Sequence, residues 1–122
     1  KVFLDLIDPR AAEAMTLLIA DPDFEQHKSF LVGSCWQSNV DYSPYLSFFT
    51  ELVIEDEFQT SFEALTVIEE MKGPFDENEV MASLDRIHEY LDFPTNENEA
   101  LVSQLKEIVH RYENNISEAQ EL

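Results

Sequence analysis

Ser43-Pro44-Tyr45-Leu46-Ser47-Phe48-Phe49-Thr50-Glu51-Leu52-Val53-Ile54-Glu55-Asp56-Glu57-Phe58 is the stretch from which the rest of the chain can be read. Ser43 offers a side-chain oxygen to a first-turn N–H, and Pro44 brings a pre-set φ with no N–H of its own, so a helix is expected to start here. Tyr45, Leu46, Phe48, Phe49, Leu52 and Val53 recur at helical spacing on one face, leaving Ser47, Thr50 and Glu51 for the other. The helix then runs into an acidic turn, Glu55-Asp56-Glu57, and Phe58 opens a second apolar pattern.

Shifted back by about 34 residues, the same order reappears. Ala11 falls on Tyr45, Met15 on Phe49, Leu18 on Leu52, Ile19 on Val53, Asp23 on Glu57 and Phe24 on Phe58. Downstream, with one residue inserted, Val80 matches Tyr45, Leu84 matches Phe49, Ile87 matches Leu52 and Phe93 matches Phe58. One helical hairpin is therefore expected three times, with repeats at about 9–37, 44–72 and 77–115 of a single domain spanning 1–122. Outer helices are expected at about 9–20, 44–55 and 77–91, inner helices at about 23–37, 57–72 and 97–115, and residues 1–7 as the tail of a preceding helix. The joints agree: Asp21-Pro22-Asp23, Gly73-Pro74 and Phe93-Pro94-Thr95-Asn96 each stop one helix and offer a cap to the next.

Leu17-Leu18-Ile19-Ala20-Asp21-Pro22-Asp23-Phe24-Glu25, with its looser copy Leu52-Val53-Ile54-Glu55-Asp56-Glu57-Phe58-Gln59, resembles HEAT and HEAT-like repeats. Gln26-His27 and Thr60-Ser61 stand near the place where that family usually has a Val-Arg pair. The resemblance implies an all-α, α-α superhelix: a HEAT-like solenoid of three antiparallel hairpins that binds proteins on its inner-helix face and carries no catalytic residues.

The charge narrows the partners. Seven basic and 26 acidic residues give a net charge of −19, which repels nucleic-acid phosphates and anionic membrane surfaces and favours a basic protein. Residues 1–50 contribute −4 and residues 51–122 the remaining −15. Cys35 is the sole cysteine, so no intrachain disulfide can form, and the cytoplasm is the expected compartment. No apolar run approaches the ~20 residues of a membrane helix.

Four features suggest chemistry, and the bland reading is preferred for each. Glu107-Ile108-Val109-His110 is an E-x-x-H, but Leu101, Leu105, Ile108 and Tyr112 define the buried face and turn Glu107 and His110 away from it. His88 stands where Ile19 and Val53 stand in the other repeats and is expected as a half-buried histidine. Asp21-Pro22-Asp23-Phe24-Glu25 begins like a calcium loop but lacks its sixth-position Gly and twelfth-position carboxylate, where Val32 stands. Cys35 lies on a face with Phe24 and Leu31 and is expected to be an inert buried thiol. No metal, cofactor or catalytic residue is assigned.

What remains is surface. The polar stripe of the second inner helix, Gln59, Glu63, Thr66 and Glu70, aligns with Glu25, Ser29, Val32 and Trp36 on the first. Trp36 either packs under the Ser38–Asp41 loop or stands exposed as a binding anchor. The expected function is a non-catalytic scaffold that takes a basic or amphipathic protein partner on these eight residues, with no direct nucleic-acid or membrane contact. Uncapped ends would also permit self-association. The alternative is an acidic inhibitor that imitates nucleic-acid charge to block a DNA- or RNA-binding protein. Phe49→Ala and Leu65→Ala should each lower unfolding free energy by about 2–5 kcal/mol in urea titrations, and near-neutral values at both would displace the assigned core.

Overall fold

A computed structural model describes residues 9–121, so the helix tail expected at 1–7 lies outside the described residues. Six α-helices follow in order: α1 Pro9–Ala20, α2 Lys28–Gln37, α3 Leu46–Glu55, α4 Phe58–Glu69, α5 Glu77–Asp92 and α6 Glu99–Glu121. No strand occurs among the described residues. The pairs α1/α2, α3/α4 and α5/α6 form consecutive helical hairpins.

Two expected helix starts are corrected. Pro22–His27 is a 3-10 helix rather than the first turns of α2, with Asp21 at its N-cap accepting a bond from the Asp23 N–H at 2.9 Å. Ser43–Tyr45 is also a 3-10 turn, and Ser43 does not cap α3. Its hydroxyl instead donates to Asp41 at 2.7 Å and accepts the Gly73 N–H at 2.8 Å, tying the start of the second hairpin to its end. Gly73 has φ +85°, a left-handed conformation open to glycine and strained for side-chain-bearing residues.

Helix α2 lies beside α4, α3 beside α5 and α4 beside α6, each pair parallel by the contacts along it. Lys28 near the start of α2 pairs with Asp56 at 2.8 Å, just before α4, and Trp36 near the end of α2 reaches Glu63. On the other layer, Ser47 of α3 bonds Glu79 of α5 at 2.8 Å, and Arg86 further along α5 bonds Glu55 at 2.8 Å. Asn98 at the entry to α6 reaches Asp56, whereas Tyr112 two-thirds along α6 donates its hydroxyl to the Ile68 carbonyl near the end of α4.

Helix α3 is the centre of the molecule, packed on α4, α5 and α6. This explains one departure from the expected faces: Thr50, assigned to the polar side, is fully buried, because α5 covers the side that a two-helix hairpin would leave in water. Glu51 remains polar and accepts two bonds from Arg86, which also holds Glu55 and Glu89. Phe49, Leu46, Val53, Leu65, Ile68, Ile87 and Leu105 fill the core as their spacing predicts.

Helix α3 has no glycine at its C-terminal end, and the carbonyls of its last turn are covered by side chains from elsewhere. Val53 O accepts from Ser61 Oγ at 2.6 Å and Asn98 Nδ2 at 3.1 Å, and Ile54 O accepts from Asn96 Nδ2 at 2.8 Å. Asn98, itself buried, also donates to the Asp56 carbonyl at 2.7 Å. Asn96 is steadied in turn by the Tyr90 hydroxyl at 2.6 Å. Asn98→Ala should cost roughly 3 kcal/mol, because buried acceptors are left bare at about 1–3 kcal/mol each. Asn98→Asp, which turns an acceptor toward those carbonyls, should cost at least as much; urea unfolding of both variants checks this, and losses below about 0.5 kcal/mol would dismiss the clasp.

Candidate functional site

The parallel packing of α2 on α4 brings three of the expected partner-binding residues into contact. Glu63 accepts the Trp36 indole N–H at 2.7 Å through one carboxylate oxygen and the Gln59 amide at 2.9 Å through the other. Gly33 makes this geometry available: a Cβ there would lie 3.1 Å from Glu63 Oε1. The tight approach lets the carboxylate lie over the α2 backbone. Trp36 is 38% exposed, and it also borders an open groove of about 580 Å³ shared with the Ser38–Asp41 loop, Glu70 and Lys72. Trp36 thus stands among the exposed large apolar side chains, and it lines the same groove as the loop.

The remaining expected residues are less united. Glu70 is exposed on the rim of that groove. Thr66 turns its hydroxyl back to the Phe62 carbonyl at 3.1 Å, and Ser29 is half-buried. Glu25 is exposed near Lys28, whose ammonium is held more closely by Asp56. Val32 is a correction: it is completely buried and offers nothing to a partner. The repeat alignment equates Ser29 with Glu63, and in the structure it is Gly33 of α2 that Glu63 lies against.

Sequence reasoning passed over Phe30 and Phe62, both well exposed on α2 and α4. Phe62 stacks on Phe58 with ring centroids 6.4 Å apart. The signal was present in the spacing: Phe58 and Phe62 are four apart and fall off the stripe made by Thr60, Ser61, Ala64, Leu65, Val67 and Ile68, the residues that α4 buries.

Glu107 is exposed, and His110 is half-exposed with its Nδ1 3.1 Å from Glu113. His88, expected to be half-buried, is exposed, 6.1 Å from the His110 ring. The expected register is corrected: buried Val80, Leu84 and Ile87 follow buried Leu46, Thr50 and Val53 without an inserted residue, so Ile87 rather than His88 stands where Ile19 and Val53 stand. Among the described residues, no group of three or more His, Cys, Asp or Glu side chains is placed to hold a metal ion. Likewise, among the described residues no helix is long and apolar enough to cross a membrane.

Cys35 is buried, its thiol directed to the Leu31 carbonyl at 3.5 Å and in hydrogen-bonding contact with the Tyr42 hydroxyl. Burial raises its pKa from an ordinary 9.0 to about 11, against a smaller lowering from Tyr42. A thiol held neutral in this way is a poor nucleophile at neutral pH. Burial likewise pushes the Tyr112 phenol up to about 12. No protein-family model, curated protein or solved structure matches the chain.

Both shifts carry a sign for stability. A raised folded pKa means that the folded state keeps a proton that the unfolded chain releases, so stability is full below the unfolded pKa and is lost as pH rises through the folded one. Urea unfolding should therefore weaken from pH 9 toward 11 through Cys35 and from pH 10 toward 12 through Tyr112. Cys35→Ala should remove the first part of this slope and leave the second, and an unchanged profile would mean that the thiol is not held neutral by the fold.

Proposed function

We propose that the protein is a non-catalytic interaction module, a short HEAT-like solenoid of three hairpins, that binds a basic or amphipathic protein segment across its inner-helix face. The carrying observation is the Trp36–Glu63–Gln59 constellation, a partly exposed indole fixed by a carboxylate and flanked by exposed Phe62 and Glu70. An aromatic side chain held in place by its own hydrogen bond loses little freedom on binding, which is what an affinity anchor requires. The surrounding carboxylates add charge complementarity toward a cationic partner, accelerating encounter more than they lengthen residence. The parallel stacking of α2, α4 and α6 supports the solenoid reading, and the buried neutral Cys35 suits a reducing compartment such as the cytoplasm.

Trp36 is the only tryptophan, so its emission reports on this face directly. Titration with Lys/Arg-rich amphipathic peptides should shift that emission. Glu25→Lys combined with Glu70→Lys should weaken binding roughly ten-fold and flatten its salt dependence, while Trp36→Ala should speed dissociation without unfolding the domain. Peptide binding by anisotropy with silent tryptophan emission would place the partner on another surface. Displacement of the protein by duplex DNA from a shared basic partner would instead favour nucleic-acid mimicry.

A further inference from the structure

The three intra-hairpin turns repeat a two-residue signature, an acidic residue followed by phenylalanine: Asp23-Phe24, Glu57-Phe58 and Asp92-Phe93. All six residues are exposed, and the phenylalanines are 38%, 56% and 82% accessible in that order. Nothing in the core requires them. None of the three carboxylates has an ion-pair partner among the described residues. The turns lie on one edge of the molecule, because Lys28 ties the first to Asp56 in the second and Asn96 and Asn98 tie the third to Ile54 and Asp56.

We propose that this edge is a docking ledge for an extended segment of a basic partner protein, with an apolar side chain set beside each phenylalanine and a lysine or arginine on each adjoining carboxylate. Packed helices lie about 8–10 Å apart, so neighbouring turns repeat at about that interval. A segment in the extended polyproline II conformation has three residues per turn and advances about 3.1 Å per residue, so every third side chain falls on one face at about 9 Å intervals. The phenylalanines supply burial on docking, and the unpaired carboxylates select the sign of the partner, in a protein whose net charge is −19. The ledge borders the Trp36 face, since Phe58 stacks on Phe62, and Phe24 and Phe93 are the ledge residues that test it apart from Trp36.

The probe is a fluorescein-labelled peptide of about nine residues with leucine at every third position and lysine or arginine between. It should bind the full chain in anisotropy titrations, and Phe24→Ser combined with Phe93→Ser should weaken it roughly ten-fold. Because both phenylalanines are exposed, the variant should keep its circular dichroism melt. Asp23→Asn with Asp92→Asn, which leaves the aromatic rings in place, should reduce both affinity and its salt dependence. Trp36→Ala should weaken binding of this peptide less than the phenylalanine pair does, because the spacing of its leucines matches the ledge. The proposal is overturned if a peptide with serine replacing each leucine binds equally well, or if neither double variant weakens binding. It is also overturned if sedimentation shows a dimer that the phenylalanine substitutions dissolve, which would assign the row to a second copy of the chain.

Discussion

The last carbonyls of α3 must find donors, and this requirement organises the molecule. A helix ending in the interior leaves several C=O groups without intrahelical partners, and a glycine in a left-handed cap is a frequent solution. Here the chain uses the side-chain amides of Asn96 and Asn98, more than forty positions away in sequence by the separations of their bonds to Ile54 and Val53. Once those amides are in place, the third hairpin has one orientation relative to the second. Glu79 then meets the first turn of α3, Arg86 meets Glu51 and Glu55, and the turn carrying Asp56 comes to stand between its neighbours.

The acidity of the chain is divided between structural and unengaged carboxylates. Asp21 and Asp76 cap helical segments, Glu79 serves α3 from another hairpin, and Asp56 holds Lys28. Three more carboxylates share the single guanidinium of Arg86, whose pKa rises through its bonds to Glu51 before all other causes. These contacts leave a large negative surplus in solvent. Such a surplus keeps the compact state soluble at some cost in self-repulsion, and it accelerates encounters with cations of any kind. In the proposed binding role, specificity would come from the exposed aromatic side chains placed among the charges.

Much of the architecture is legible in the sequence, and the reasons it stops being legible are physical. Helical periodicity located α1 and α3 to within two residues, because their apolar stripes follow the 3.6-residue repeat closely. The start of α2 was misplaced because Pro22 and the charged residues after it satisfy a 3-10 helix as readily as an α-helix at this scale. The site suffers with it, because the repeat register equates Val32 with Thr66 on the polar stripe and Val32 is buried. Thr50 departs from expectation because burial depends on how many neighbours a helix has, and a pattern within one helix does not reveal that α3 is central. His88 departs because the buried residues of α5 follow those of α3 with no inserted residue, which puts Ile87 in step with Val53 and His88 outside the stripe. The clasp by Asn96 and Asn98 lay beyond pattern reading altogether, since two asparagines after a Pro-Thr turn signal only a helix start.

Helix α1 packs chiefly on α2 and on its own following turn, whereas α3 is held along its length by three other helices. The molecule therefore has a gradient of local opening. Amide protons of α1 can exchange with solvent when that helix alone lifts away, a motion that exposes little beyond Ala12 and Ile19. Those of α3 are released only when Asn96, Asn98, Glu79 and Arg86 all let go, an event that breaks the contacts between hairpins and amounts to unfolding the chain. Helix α1 is thus the described helix with the fewest ties to the rest, while α2 belongs with the later hairpins through its packing on α4 and the Lys28–Asp56 and Trp36–Glu63 contacts.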